Sequence, residues 1–347
     1  MTAQEADALP SHALVPVVEG TFAYCPNLYV QADCVGGQFR TAIAGHKVTI
    51  LLPRIGEDLL LGITPILTAP DTQYEYAVQA DGRFWGIVST RDGQYCRTAQ
   101  ISRLAYRFEV AGSESDVESV CREIEFSLKD WWLSLEAWLD IYTDLDLLGH
   151  QRGTGGPPTR GHALTAHVGD QPGDTAQRLT WKQRSQAAMP RPRAVNIPDS
   201  AVLARCLHLA GSGSLPPQGW LYLREARSWL KAGQTRRAVI DACTGAEISL
   251  SYQVRQHAKA DPVVVDQLLE QCKGIADVVK VLTRIGGVTA SRNSITTKLA
   301  DVRNKAVHAG WEPDVETAEQ ALAVATAVVD HAWPHAALCP DTSAATV

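Results

Sequence analysis

The hydrophobic period of this 347-residue chain changes twice, and that pattern restricts its fold more than any other feature. Before residue 113 the apolar residues come in short runs rich in β-branched and aromatic side chains, broken by Gly-Gly and Asp-Gly pairs. Such runs form strands. From Ser113 to about Asp146 the spacing becomes three and four residues, and after Pro216-Pro217 it stays so almost to the end. The expected class is therefore α+β. A β-rich N-terminal domain with a long helix comes first, and an all-α, up-and-down helical bundle comes after it.

The strand candidates are Thr41–Pro53, Tyr74–Ala80, Phe84–Ser89 and Ile101–Val110. Asp81-Gly82, Asp92-Gly93 and Gly36-Gly37 are turn signals, and Asp81-Gly82 between apolar runs predicts a hairpin. Short antiparallel strands of this kind imply a sandwich or a rolled sheet. Ala163–Val168 and Arg178–Trp181 are further strand candidates. The long helix, residues 114–146, carries Trp131, Trp132, Trp138 and Tyr142. These aromatics read either as a binding face or as packing against the sheet. Residues 148–162 are rich in Gly and Pro and predict a loop.

The later helices can be drawn from their stop and start residues. They are Asp199–Ala210, Gly219–Lys231, Thr235–His257, Asp261 through Glu270, Gly274–Ile285, Ser294–Ala309 and Val315–Ala332. The implied division is residues 1–185 as a sensor or regulatory domain, 186–215 as linker and short helix, 216–337 as the bundle, and 338–347 as a flexible tail.

Composition narrows the class of protein. Hydrophobic residues make up 45% and charged residues 20%, enough for folded cores without staples. No apolar run approaches the ~20 residues of a membrane span. Met1–Pro10 lacks the basic and apolar stretches of a secretory signal. A cytoplasmic protein with no membrane partner is expected. The eight cysteines show no zinc spacing and read as free thiols. The ten histidines form no HExxH cluster, so no metal is expected. No GxGxxG, Walker or GxSxG motif is present, so no cofactor is expected. Charge is uneven: 10 Lys/Arg face 21 Asp/Glu over residues 1–150, 8 face 3 over 151–215, and 14 face 14 over 216–347. The acidic first part makes a poor nucleic-acid platform.

Chemistry concentrates in one helix, where Arg303, Asn304 and His308 fall within six residues, just before Gly310. Asn304 and His308 are four apart and share a helical face. Arg303 starts about 100° away, within reach of the same edge. The set brings a cation, an amide and an imidazole to one helix end. Phosphodiester transfer by an RNA 2′-hydroxyl needs a fixed cation for the phosphorane charge and an imidazole to move a proton. Lys298 and Lys305 add local positive charge for binding RNA, with Arg292 shortly before. The other arginine–histidine pair of similar spacing, Arg160 and His167, sits in or beside the Gly/Pro loop and reads as a decoy. The bland reading of Arg303 is a salt bridge to Asp301 or Glu316, with His308 a simple helix cap.

Residues ~219–333 resemble a HEPN domain through Arg303-Asn304-Lys305-Ala306-Val307-His308 followed by Ala309-Gly310, with an upstream Arg-Arg-Ala-Val-Ile-Asp-Ala (236–242) leading to Glu247. The resemblance implies a metal-independent endoribonuclease with a composite site formed by a homodimer. Arg303 and His308 would be catalytic, Asn304 would orient them or the phosphate, and Glu247 would contribute from a neighbouring helix. Gly310 stands where many toxins of the family carry a Tyr, so regulation through such a Tyr is not expected. The domain order resembles single-protein abortive-infection defence nucleases such as the ApeA-like group. It implies a toxin or antiphage effector triggered by a phage or host protein through the first domain. The alternative is a non-catalytic HEPN scaffold that binds RNA, nucleotide or protein.

Overall fold

The computed structural model describes residues 17–55, 67–70, 85–92, 95–110, 114–143, 145–147, 163–169, 177–180, 197–287 and 291–338. The chain is α+β, and its contacts divide it into two compact units. One holds residues 1–26, 30–131 and 159–187; the other holds 27–29, 132–158 and 188–347.

The first unit is built on an antiparallel sheet. Its strands are β1 (Val17–Gln31), β2 (Gln38–Ile43), β3 (His46–Leu51), β6 (Gly86–Asp92), β7 (Tyr95–Glu109), β8 (Ala163–Gly169) and β9 (Gln177–Thr180). A separate pair joins β4 (Arg54–Ile55) to β5 (Leu67–Thr68). The main sheet runs β2-β3-β7-β1-β8-β9, with β6 also paired to β7. Its register places Thr41 opposite Val48, Ile50 opposite Tyr106 and Thr21 opposite Thr165. The Thr41–Pro53 run, expected as one strand, folds back on itself. Ala44 and Gly45 both take positive φ, 53° and 82°, the geometry of a two-residue hairpin turn. Strand β1 was not foreseen, whereas β8 and β9 add to the sheet where expected. Tyr74–Ala80, the Asp81-Gly82 turn, the 148–162 loop and the tail from Cys339 lie outside the described residues.

Alternation sets the faces of the sheet. Phe39, Ile43, Val48, Ile50, Leu104, Tyr106 and Phe108 are buried. Helix α1 (Glu114–Tyr142) presents Val117, Cys121, Ile124, Leu128 and Trp131 at helical spacing, all buried. Trp131 Nε1 donates to Thr41 Oγ1 at 3.2 Å, and His46 pairs with Glu123 at 3.0 Å. Burial, with Cys121 and Glu125 nearby, pushes the Tyr106 hydroxyl well above its ordinary pKa. Arg107 forms an ion pair with the fully buried Glu19.

The second unit contains eight helices among the described residues. These are α2 (Ser200–Gly211), α3 (Gln218–Lys231), α4 (Thr235–His257), α5 (Pro262–Glu270), α6 (Ile275–Arg284), α7 (Arg292–Ser294), α8 (Asp301–His308) and α9 (Val315–Ala332). Starts obey capping chemistry: Asp199, Asp261 and Asp314 accept from the N–H groups of Val202, Val263 and Thr317, and Pro262 occupies the first helical turn. Helix α4 is central and packs against α3, α6, α8 and α9. Its Val239, Ala242, Cys243, Ala246, Leu250 and Val254 are buried.

Trp131, Trp132, Trp138 and Tyr142 of α1 are packing residues, and they pack in two places. Trp131 bonds within the first unit. Within the second, Trp132 Nε1 donates to Glu136 at 2.7 Å and Trp138 Nε1 to the Ser214 carbonyl at 2.9 Å. Tyr142 stacks on Trp138 and meets the His335 ring at 4.7 Å. These four aromatics are buried, whereas Phe126 on the same helix is exposed. Among the described residues no helix is long and apolar enough to cross a membrane.

Candidate active site

The helix that carries Arg303, Asn304 and His308 is one continuous run from Arg292 to His308, but it is not uniformly α. Residues Ile295–Ala300 form a π-helical segment, and the Asp301 N–H reaches back five residues to the Thr296 carbonyl. Widening the turn alters which carbonyls find donors. Here Thr296 Oγ1 donates to Arg292 O at 3.0 Å and Thr297 Oγ1 to Asn293 O at 2.9 Å. The segment buries the adjacent pair Leu299 and Ala300 and changes the phase of everything after it.

The other end of the run is also tied down. Gly310 takes φ +64°, a left-handed residue that stops the helix, and the Ala309 and Trp311 N–H groups donate to the Lys305 carbonyl. Two residues on, Glu312 Oε1 accepts from Thr235 Oγ1 at 2.9 Å and the Arg236 N–H at 3.2 Å. It thereby caps α4, whose own N-cap residue, Gln234, makes no side-chain bond. The loop after His308 is thus fixed to the start of the central helix.

Between α4, α8 and the first turn of α6 lies a cavity of about 190 Å³. Glu247, Arg303, Asn304 and Lys273 supply its polar walls, with Cys243 and Gly274–Asp277 beside them. Cys243 and Glu247 are one turn apart on α4 and share a face. Arg303 Nη1 donates to Asn304 Oδ1 at 3.2 Å. Arg303 makes no ion pair among the described residues, with Asp301, Glu316 or Glu247. Burial first, then Glu247, pushes the Cys243 thiol up to about 12, and Arg303 opposes that rise. Burial, Asp277 and Glu247 also raise Cys272. Asp277 is held below its ordinary range by hydrogen bonds from Lys280 Nζ and the Lys273 N–H.

The structure therefore brings three of the sequence candidates into one concavity: Arg303, Asn304 and Glu247. His308 is exposed one turn beyond Asn304 on the same helix, outside the cavity wall. Lys298 and Lys305 are also exposed and outside it, and the Lys305 ammonium lies 6.0 Å from the Trp311 ring centroid. Arg160 lies outside the described residues. Lys273 and the first turn of α6 were not anticipated, because only tertiary packing brings them to α8. Cys243, read from sequence as a free thiol, was not anticipated there either, although it stands one turn before Glu247 on the same helix. Among the described residues no three His, Cys, Asp or Glu gather as a metal site. Compared with family models, curated proteins and solved structures, the chain matches none.

Proposed function

We propose that the chain is a HEPN-type, metal-independent endoribonuclease that acts as a homodimer, with Arg303, Asn304 and His308 as its working residues. One observation carries this reading. Arg303 lines a cavity yet pairs with no carboxylate among the described residues, although Glu247 lines the same cavity and Asp301 is two residues away. A structural arginine would be expected to find one of them. A guanidinium held by an amide and left unpaired is suited to a phosphate.

The chemistry is set by the parts. The ribose 2′-oxygen attacks the adjacent phosphorus and its proton passes to a neutral imidazole. The 5′-oxygen leaves, taking a proton from a second, protonated imidazole, and a 2′,3′-cyclic phosphate and a 5′-hydroxyl result. Arg303 stabilises the charge that grows on the phosphorane oxygens. Asn304 holds Arg303 through Oδ1. Two proton positions are served by two imidazoles when each copy of a homodimer contributes its His308. The exposure of His308 outside its own cavity fits a site completed by a second copy. A toxin or antiphage role, triggered through the first unit, is the biology proposed for such an activity.

The test is RNA cleavage in excess EDTA by the wild type, His308→Ala and Arg303→Ala, with folding checked by circular dichroism and mass by light scattering. Each substitution should lower the rate by about 10²-fold or more, and wild-type products should carry cyclic phosphate ends. Equal cutting by all three proteins refutes the assignment.

A further inference from the structure

We infer that the cavity beside Arg303 is a base-recognition pocket that selects guanine in the RNA strand bound at the site. The inference rests on the nuclease reading for its source of guanine, but its geometry stands apart from catalysis. The cavity, about 190 Å³, has room for roughly six waters, and so for one flat base. It is too small for a nucleotide pair or a drug-sized ligand.

Its polar walls fix what that base must offer. Glu247 makes no hydrogen bond or ion pair among the described residues, although it shares the cavity with Arg303 and Lys273. A half-buried carboxylate left open in a concavity calls for donors from a ligand. Guanine places two donors side by side, N1–H and the N2 amino group, so both oxygens of one carboxylate are satisfied. Adenine and cytosine each put a ring acceptor beside their single amino donor, which would repel the second oxygen. Uracil has one donor between two acceptors. Next to its two donors guanine carries O6, an acceptor, and the walls supply donors for it. Arg303 occupies Asn304 Oδ1, so the NH₂ end of that amide is the part left to a ligand. The first turn of α6 also lines the cavity; its Asp277 N–H already donates to the Gly274 carbonyl at 3.0 Å, which leaves the N–H groups of Ile275 and Ala276 with no acceptor within their own helix. Single-stranded RNA bases are read in this way, through their Watson–Crick edges. Asp277, the other carboxylate in the wall, is already engaged by Lys280 and the Lys273 N–H, which leaves the recognition to Glu247.

Binding is measured without cleavage by using oligodeoxythymidylate hexamers, which lack the 2′-nucleophile, each with one central deoxyguanosine, deoxyinosine or deoxyadenosine. They are titrated into the full chain at fixed salt and followed by fluorescence anisotropy. The guanine hexamer should bind about tenfold or more tightly than the adenine hexamer. The inosine hexamer, lacking only the amino group, should fall between them. Glu247→Gln, nearly isosteric and checked for its melting temperature, should bring the three within threefold while keeping the weak, salt-sensitive binding. Equal affinities in the wild type, or a guanine preference unchanged in Glu247→Gln, overturns the inference. Guanosine 5′-monophosphate binding more tightly than the guanine hexamer overturns the strand as the source. A guanine preference in a protein that cuts no RNA keeps the pocket and removes the nuclease. Cutting without any base preference does the reverse.

Discussion

Asp140, near the end of α1, is a buried carboxylate whose loss should cost the second unit several kcal/mol. Its carboxylate is 3% exposed and faces Arg224, 11% exposed, at 2.7 Å. The second oxygen accepts from the Leu147 N–H at 2.6 Å, and its carbonyl accepts from Arg227 at 3.0 Å. Asp140→Ala removes both side-chain acceptors, and with them the bonds from the Arg224 guanidinium and the Leu147 N–H, in a nearly dry site. Hydrogen bonds to charged groups are worth about 1.5–3 kcal/mol each, and breaking one side of a buried pair about 3–5 kcal/mol. Arg224 Nη2 is buried with no acceptor, so the pair is imperfectly satisfied and the lower half of that range applies. The expected loss is about 3–4 kcal/mol; at a urea slope of about 2 kcal/mol/M it moves the midpoint down by about 1.5–2 M. The assay is urea unfolding of Asp140→Ala, Arg224→Ala and the double variant, monitored by far-UV circular dichroism. Removing Arg224 as well takes away the stranded cation. The double variant should therefore be less damaged than the sum of the singles, with a coupling of about 1.5 kcal/mol or more. A loss under 1 kcal/mol for Asp140→Ala, or additive singles, refutes the argument.

Three further outcomes are expected. Glu312→Ala removes the cap on α4 and should lower stability by about 1–2 kcal/mol, read as a shift in the same urea midpoint; an unchanged midpoint sinks the capping role. Gly310→Ala meets no atom within 4 Å of the new Cβ, so only the left-handed backbone resists it. That strain costs about 1–2 kcal/mol, measurable by thermal melting, and Gly310→Asn should cost less. Cys243, raised to about 12 from an ordinary 9, favours the folded state while the thiol stays protonated. That stabilisation is complete below pH 9 and is lost as pH rises toward 12, so Cys243→Ser should flatten the alkaline limb of stability against pH; an identical limb in both proteins contradicts the assignment.

The helices were legible because their ends are chemical. Asp261-Pro262, Asp314 and Gly233 are signals that act locally, so Thr235–His257 and Val315–Ala332 could be bounded from sequence as they stand. The strands were harder. Ala44-Gly45 lacks the Asn or Asp that usually marks a two-residue turn, so β2 and β3 read as one run. At the site, Arg303 and Asn304 were found from residue type, and Glu247 lines the cavity with them. The first turn of α6 could not be foreseen, since nothing local connects Lys273 to Arg303 across thirty residues of chain. The two lysines chosen for charge, Lys298 and Lys305, stand outside the cavity because charge alone does not say which way a helix faces.

The π segment has a consequence for how this chain tolerates change in length. The wide turn holds one residue more than an α turn, so a single deletion between Ile295 and Ala300 would turn the segment into ordinary α-helix and leave the remainder of the helix in nearly the same phase. Ile295 could then keep its place in the core and Arg303 and Asn304 theirs at the cavity. The same deletion after Ala300, in ordinary α-helix, would rotate all that follows by about 100°. In this one helix, the cost of a lost residue depends on which side of Ala300 it falls.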